Sequence, residues 1–515
     1  MTETAPSGTR PPITAALALF SAGFLAMLDL SISMVALSPI RSDLHASLSA
    51  LQWTVDAYTL CFAGLLLVGG LISDRLGHRT GLIVSLALFT AGSAVCMAAP
   101  ATSVLIGGRA AQGAAAAILV PTSMALIVRL YPEPKQTARM LGLWSALSGI
   151  AIAFGPVLGG LLVKLVSWRA VFAINLPLGL IAILFAVVSV PKARRRVAAP
   201  VDVLGVVLGI TWAFTLAFGV IEGAVHGWAS PLIVGSFVTA CLALAAFLLV
   251  ERRREHAMLP LGLFRSPRFS AASVVAFALG FSLSTAFYFL SLYYQQVLGY
   301  SPLQTGIGFL PAALAITVAA PLAGQLAGKY GARPVTTSGL AIGAAGLFSM
   351  AFVGPDTPFT MVAWMLVLIG TGLGLALPPN NHTALNAAPS ERAGAASGTV
   401  ETLMQFGTVV GIAVLGAVHA SLFKDNLQER LTSQGVDPSA AGQAVQAVAS
   451  GEQATVPGQP LPALLHSVTA AFSHGLQWVW VVAAAVALLS ALVPLLIRRQ
   501  PDPSTSAVPA GQVGS

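Results

Sequence analysis

Gly70-Leu-Ile-Ser-Asp74-Arg75-Leu-Gly77-His78-Arg79 and Gly324-Gln-Leu-Ala-Gly328-Lys329-Tyr-Gly331-Ala332-Arg333 share one frame, Gly-x-x-x-x-basic-x-Gly-x-Arg. Each copy closes a long apolar stretch, and eight such stretches separate the copies. A fixed motif recurring at a fixed place marks an internally repeated architecture. A six-helix unit repeated once, with two helices inserted between the copies, gives this offset. Repeated halves are how many transporters are built, with the substrate site at their interface.

The composition supports a membrane setting for that repeat. Of 515 residues, 56% are hydrophobic and 9% are charged, against about 25% charged in soluble domains. A soluble surface cannot be covered from that supply, which excludes an ordinary cytosolic enzyme and a disordered chain. A helix needs roughly 20 apolar residues to cross the hydrocarbon layer. Fourteen stretches meet that length, at about 13–39, 51–72, 81–99, 103–128, 140–164, 170–190, 203–222, 230–250, 270–294, 304–327, 335–353, 360–384, 394–419 and 474–497. The sequence therefore predicts an all-α integral membrane protein with 14 transmembrane helices: two six-helix halves plus two inserted helices. Alternating strands of about ten residues, the mark of a membrane barrel, are absent from the sequence.

Fourteen spans put both termini on one side. If that side is the cytoplasm, the segments facing it carry Arg10, Arg75, Arg79, Arg129, Lys135, Arg139, Lys192, Arg194, Arg195, Arg196, Arg252, Arg253, Arg254, Arg265, Arg268, Lys329, Arg333, Arg392, Arg498 and Arg499. The opposite segments hold only Arg41, Lys164, Arg169, Lys424 and Arg430, and Arg109 lies within a span. The positive-inside rule selects this orientation, with both termini cytoplasmic. The net charge of +8 is thereby absorbed by topology and by contact with anionic lipid, and no nucleic-acid partner is expected.

The expected organisation is a cytoplasmic N-terminus over 1–12, an N-terminal half over 13–190, two inserted helices with basic flanks over 191–269, and a C-terminal half over 270–497. A long outer loop covers 420–473, with Asp425-Asn-Leu-Gln-Glu-Arg430 extending the thirteenth span by a turn or two. Residues 498–515 form a Pro/Ser/Gly-rich disordered cytoplasmic tail. Cys61, Cys96 and Cys241 fall within spans and read as packing residues. The eight His lack metal-ligand spacing, and no phosphate-binding Gly-x-x-x-x-Gly-Lys-Ser/Thr loop is present. Neither a cofactor nor a metal is expected.

The chemistry rests on the few charges inside spans. Leu28-Asp29-Leu-Ser-Ile-Ser-Met-Val-Ala-Leu-Ser-Pro39 places Asp29 mid-span, where a carboxylate is costly unless paired, hydrated or protonated. Trp53-Thr-Val-Asp56-Ala-Tyr58 puts a second acid one turn inside the second span. Leu105-Ile-Gly-Gly-Arg109-Ala-Ala-Gln112-Gly113 carries an Arg that stays charged at any physiological pH and needs a partner. Ser397-Gly-Thr-Val-Glu401-Thr-Leu-Met-Gln405 adds a third acid. Glu222 with His226, and His382 in Pro378-Pro-Asn-Asn381-His382, read as interfacial or hydrogen-bonding groups. Gly142-x8-Ala151-x3-Gly155-Pro156-x2-Gly159-Gly160 combines a helix-bending Pro with glycines that admit a neighbouring helix. Trp168-Arg169-Ala-Val-Phe-Ala-Ile-Asn175-Leu-Pro177-Leu-Gly179 opens the sixth span.

Together these motifs make the chain resemble the major facilitator superfamily, and within it the 14-helix drug:proton antiporter branch of multidrug and quaternary-ammonium exporters. The resemblance implies a secondary active transporter, not an enzyme, that alternates access between its halves. It implies export of amphipathic drugs or antibiotics in exchange for protons, by a monomer in contact with the lipid of a bacterial cytoplasmic membrane; the acids Asp29, Asp56 and Glu401 outnumber Arg109, which favours a cation. Proton coupling and substrate contact are expected of Asp29, Asp56, Arg109 and Glu401, with Arg109 tuning Asp29, and Asp29 and Asp56 sharing a proton or a cationic substrate; at Asp56 and Glu401 many members of the family carry an uncharged residue, whereas some exporters have an acid. Gly70, Asp74, Arg75, Gly77 and Arg79 become the gate motif, in which the acid stabilises the outward-facing state. His78 departs from the usual basic residue, and Gly328 replaces the acid in the second copy. Gly142, Gly155, Pro156, Gly159 and Gly160 become the antiporter motif, with Ala151 where Gly is usual. A dedicated exporter of one endogenous metabolite or self-made antibiotic fits the same residues, and a non-transporting membrane sensor is the reading from another class.

Overall fold

The computed structural model describes residues 13–131, 133–191, 203–253, 261–354, 357–388, 393–450 and 460–496. The segments 1–12, 192–202, 254–260, 389–392 and 497–515, which hold the expected terminus, tail and several of the topogenic cations, lie outside the described residues. Helices follow one another as α1 (Ile13–Leu44), α2 (Leu48–Leu76), α3 (His78–Ala98), α4 (Thr102–Leu130), α5 (Pro134–Leu165), α6 (Ala170–Ser189), α7 (Val203–His226), α8 (Pro231–Arg253), α9 (Pro267–Val297), α10 (Pro302–Tyr330), α11 (Ala332–Met350), α12 (Phe359–Asn386), α13 (Ala393–Ser433), α14 (Pro438–Ser450) and α15 (Leu461–Leu496). No strand occurs among the described residues. Each of the fourteen apolar stretches falls on one of these helices. Among the described residues, eleven helices are long and apolar enough to cross a membrane. The chain is a multi-pass membrane protein.

The repeat seen in sequence is also a repeat of packing. In the first six helices α2 packs on α4, α3 on α4, α1 on α5 and α6, and α3 on α6. The equivalent pairs α10–α12, α11–α12, α9–α13, α9–α15 and α11–α15 recur in the last six. The second glycine of each motif copy, Gly77 (φ 83°) and Gly331 (φ 89°), turns the chain from one helix into the next in a backbone region that favours glycine. The closing arginine of each copy then reaches the last helix of its own half. Arg79 Nη2 donates to the Val187 carbonyl of α6 at 2.5 Å, and Arg333 Nη2 donates to the Leu495 carbonyl of α15. A cation at a helix C-terminus meets unsatisfied carbonyls there.

Both described chain ends lie at one end of the bundle, called proximal here; the other is distal. At the distal end the halves are joined. Ser291 Oγ of α9 donates to the Met34 carbonyl at 2.6 Å, and Gln296 Nε2 donates to Ser38 Oγ at 3.3 Å. Met34 lies in Ser33–Ala36, a 3₁₀ break in α1, and Gln296 lies in Tyr293–Val297, a π segment of α9. One apolar cluster runs across both halves here, from Ile32, Val35 and Leu51 to Phe289 and Ile412. At the proximal end each half keeps its own cluster, around Leu82, Phe89 and Leu126 in the first and Phe269, Ala272 and Ala384 in the second. The bundle is thus closed distally and separately packed proximally.

The expected long loop over 420–473 needs correction. Helix α13 continues to Ser433, well beyond the turn or two expected, α15 begins at Leu461, and α14 lies between them. Leu427 and Leu431 are buried on the extension, and Ala441, Ala444 and Val445 on α14, the one-sided spacing that docks a helix on a protein surface. Arg41 Nη2 donates to the Val448 carbonyl of α14 at 3.0 Å, tying this segment to the first half.

Candidate functional site

Asp29 and Arg109 form an ion pair with no exposure of either side chain, Arg109 Nη1 donating to Asp29 Oδ2. The remaining bonds come from α4 itself and from three other helices. Arg109 Nε donates to the Thr54 carbonyl of α2 at 3.0 Å, and its guanidinium lies 4.4 Å from the centre of the Tyr58 ring. Asp29 Oδ1 accepts from Gln112 Nε2 at 2.9 Å and from Asn175 Nδ2 at 2.7 Å. Ser93 of α3 accepts from the same Gln112 at 2.7 Å and from Asn175 at 3.3 Å. Gln112 follows Arg109 by three residues, so both share one face of α4. Asn175 begins the second segment of α6, after a turn at Ile174. A buried ion pair persists only when further hydrogen bonds complete it, and here α1, α2, α3, α4 and α6 all contribute.

The glycine motif of α5 borders this site. Gly155 and Gly159 face Ser31 and Ile32, two and three residues beyond Asp29, and an added Cβ on Gly159 would come within 2.7 Å of the Ile32 carbonyl. Ser31 Oγ donates to the Ala151 carbonyl at 3.1 Å. On its other side α5 meets the second half, with Gly160 against Pro302 and Leu303, and the Pro156 carbonyl against Gly306. The motif therefore joins the Asp29 helix to the second half through close backbone contact. Gly70 and Gly142 lie in α2 and α5, but their surroundings and the Asp74 side chain lie outside the described residues.

Residues 19–412 match the sequence profile described as Major Facilitator Superfamily. The chain belongs to the Major Facilitator Superfamily. Members of this superfamily are transporters of small molecules, not enzymes, and commonly function as single-chain monomers. This transporter is 32% identical over 498 residues to the tetracenomycin C resistance and export protein of Streptomyces glaucescens, covering 95% of this chain and 92% of that one. It is 34% identical over 415 residues to the multidrug resistance protein Stp of Mycobacterium tuberculosis, covering 81% and 77%. It is 29% identical over 496 residues to the multidrug efflux pump LfrA of Mycolicibacterium smegmatis, covering 95% and 98%. Among solved structures, a bacterial homolog to the human lysosomal transporter Spinster matches with a TM-score of 0.68 at 18% identity, covering 96% of this chain and all of that one, which shows the shared fold. With relatives of this kind, the chain is an efflux transporter of the drug-resistance branch.

The transporter's other sequence-named acids stand apart from the Asp29 pair. Asp56 is fully buried in α2, and neither of its oxygens has a hydrogen-bond partner. No hydrogen bond joins it to Asp29, whose two oxygens are taken by Arg109, Gln112 and Asn175. Asp56 lies one turn below Gln52, whose Nε2 donates to the Ile412 carbonyl of α13 at 3.4 Å. Gln52 also lines a distal cavity of about 500 Å³, together with Ser47, Tyr288, His419, Lys424 and Gln446. Glu401 in α13 accepts from Gln405 Nε2 one turn on, at 2.8 Å. Glu222 accepts from Trp53 Nε1 at 3.0 Å and lies 3.4 Å from His226 Nδ1. The inserted helix α7 docks there on both halves, with Trp53 against Phe214 and Trp212 against Phe406. His382 meets Asn386 at 3.1 Å on the exposed face of α12. Arg75 is exposed at the proximal end of α2.

Three residues of the site have no assigned role in the sequence reading: Ser93, Gln112 and Asn175. Gln112 and Asn175 stand inside quoted motifs, and the signal that singles them out is a large amide side chain on an otherwise small or apolar helix face. Among the described residues no group of three or more His, Cys, Asp or Glu comes together to hold a metal.

Proposed function

We propose that this transporter is a proton-driven antiporter that exports amphipathic drugs or antibiotics by alternating access between residues 13–190 and 270–497, the inserted pair lying in 191–269. The observation that carries the reading is the fully buried Asp29–Arg109 pair, held by five helices beside the glycine face of α5. Charged, Asp29 binds α1 to α4 through Arg109. Protonated, it loses that attraction, and α1 is free to shift along α5, where only glycines separate the backbones. Drug release and proton uptake then compete for one conformational change, which makes the exchange obligatory.

Asp56 supports a second coupling position. An unpaired charge in such a place costs several kcal/mol, so its carboxyl is satisfied by a proton or by a cationic substrate. Glu401 on the opposite half is the third carboxyl, and three acids against one arginine favour cationic cargo. The cations at the proximal helix ends, Arg75, Arg79, Arg129, Arg252, Arg253, Lys329 and Arg333, support a cytoplasmic proximal end, 14 spans and both termini inside a bacterial cytoplasmic membrane. The contacts described then correspond to an inward-facing state, closed at the outer end by Ser291, Gln296 and the glycines of α5 and α10. Asp74 and Arg75 belong to the gate that closes the other end in the outward-facing state.

The similarity to the tetracenomycin C resistance and export protein favours a second substrate reading, a dedicated exporter of one self-made antibiotic. Proteoliposomes with an imposed pH gradient test the mechanism. The gradient should drive accumulation of a fluorescent amphipathic cation such as ethidium, and Asp29→Asn should abolish it. Accumulation that ignores the gradient would refute antiport, and full activity of Asp29→Asn would remove Asp29 from coupling. Profiling unrelated drugs separates the two substrate readings.

A further inference from the structure

The Asp29 cluster contains two buried polar atoms without a partner, Asn175 Oδ1 and Arg109 Nη2. Asn175 has no exposure, and its amide reaches Asp29 only through Nδ2. An amide offers a donor face and an acceptor face, and the two exchange when the group turns by half a revolution. A charged carboxylate accepts only, whereas a protonated one donates through its O–H. The unused Oδ1 is thus the one group beside Asp29 suited to the protonated acid. Gln112 is not free to respond: its Oε1 accepts from Arg109 at 3.0 Å and its Nε2 donates to Ser93 at 2.7 Å.

We propose that Asn175 is the positioning residue that reads the protonation state of Asp29. This rests on the reading of Asp29 as a proton carrier. With Asp29 charged, Asn175 Nδ2 donates to Oδ1 of the carboxylate, as the structure shows. When a proton arrives on that oxygen, the amide turns and Asn175 Oδ1 accepts the new O–H. The turn gives up the N–H···O bonds to Asp29 Oδ1 and, at 3.3 Å, to Ser93 Oγ for one O–H···O bond from the acid, so it is the arriving proton that drives it. Because Asn175 opens the second segment of α6, directly after the turn at Ile174, the exchange is made at a helix start. Arg109, released by the neutral acid, keeps Thr54, Gln112 and the Tyr58 ring.

The titratable or charged groups facing Asp29 are Arg109 from α4, Tyr58 from α2 across the guanidinium, and Cys96 from α3, whose Sγ donates to Gln112 Oε1 at 3.4 Å. Helices α5 and α6 bring none to it among the described residues; Arg169 of the loop before α6 pairs with Asp43 at the distal rim.

The test is an infrared pH titration of the full-length purified protein, with the protonated-carboxyl band assigned through Asp29→Asn. In Asn175→Leu, which keeps the volume but can neither donate nor accept, the band should move to higher frequency. A bond to a charged group is roughly twice as strong as a neutral one, so the charged form loses more. The titration midpoint should then move upward by about one pH unit, a tenfold change in proton affinity. Asn175→Thr, whose hydroxyl donates and accepts, should restore the band in part. Should the leucine variant not fold, Asn175→Ala lacks the same two groups and takes its place. An unchanged band and midpoint in the variants overturns the role of Asn175 alone. Absence of any band removed by Asp29→Asn overturns the proton-carrier reading beneath it.

Discussion

Replacing Arg109 by Gln should cost far more stability alone than together with Asp29→Asn. Neither side chain has any exposure, so each single substitution strands an uncompensated charge in the bundle. Breaking a buried pair from one side costs about 3–5 kcal/mol. Gln in place of Arg109 leaves the Asp29 carboxylate with Gln112 and Asn175 as its only donors. Asn in place of Asp29 leaves the guanidinium with the Thr54 and Gln112 oxygens and the Tyr58 ring. In the double variant two neutral amides face each other and hydrogen-bond, and replacing a buried pair by neutral groups is often close to neutral. The double variant should therefore lie within about 2 kcal/mol of the unaltered protein, while independent effects would add to about 6–10 kcal/mol. Detergent-denaturation titrations of the four proteins measure the cycle. Effects that add to within about 0.5 kcal/mol, as for independent sites, or single substitutions that cost almost nothing, would refute a dry, paired interior.

Three further outcomes test the closure and the repeat. Ser291→Ala removes the 2.6 Å bond to the Met34 carbonyl; a loss of about 1 kcal/mol should open the outer closure roughly fivefold more often, read as faster labelling of a cysteine at Gln52 by an impermeant thiol reagent. Gly306→Leu sets a side chain against the Pro156 carbonyl, a backbone atom that cannot move aside. The closed outer state should be lost, transport should fall at least about tenfold through lost packing, and the Gln52 cysteine should label fastest of all. Arg79→Gln and Arg333→Gln should each lower unfolding stability by about 1–2 kcal/mol, because each arginine holds the last helix of its half; an effect in only one copy would contradict the symmetric clasp.

The fold was legible in the sequence because hydrocarbon demands long apolar runs and the motif frame recurs. The two frames fall at equivalent helix turns, and the same helix pairs pack in both halves. Helix α14 was not legible as a helix. Its buried face is made of alanines and one valine, too weak a signal against Gln, Ser and Gly neighbours until the docking surface is present. Asp29 and Arg109 stood out because charge is rare in a span, and the structure brings them together. Ser93, Gln112 and Asn175 did not, since neutral polar residues are unremarkable in membrane helices. Only the convergence of five helices reveals what they bind. Asp56 was expected to share a proton or a cationic substrate with Asp29; in the fold every hydrogen bond to Asp29 comes from other partners, and Asp56 lies one turn from Gln52 with no hydrogen bond of its own.

If drug and proton exchange obligatorily through Asp29, drug alone should drive the cycle. In proteoliposomes with no initial pH difference, an imposed gradient of the exported cation should move protons in the opposite direction and build a pH difference. Asp29→Asn should build none. A drug gradient that runs down through the unaltered protein with no proton movement would mean that the two are not exchanged.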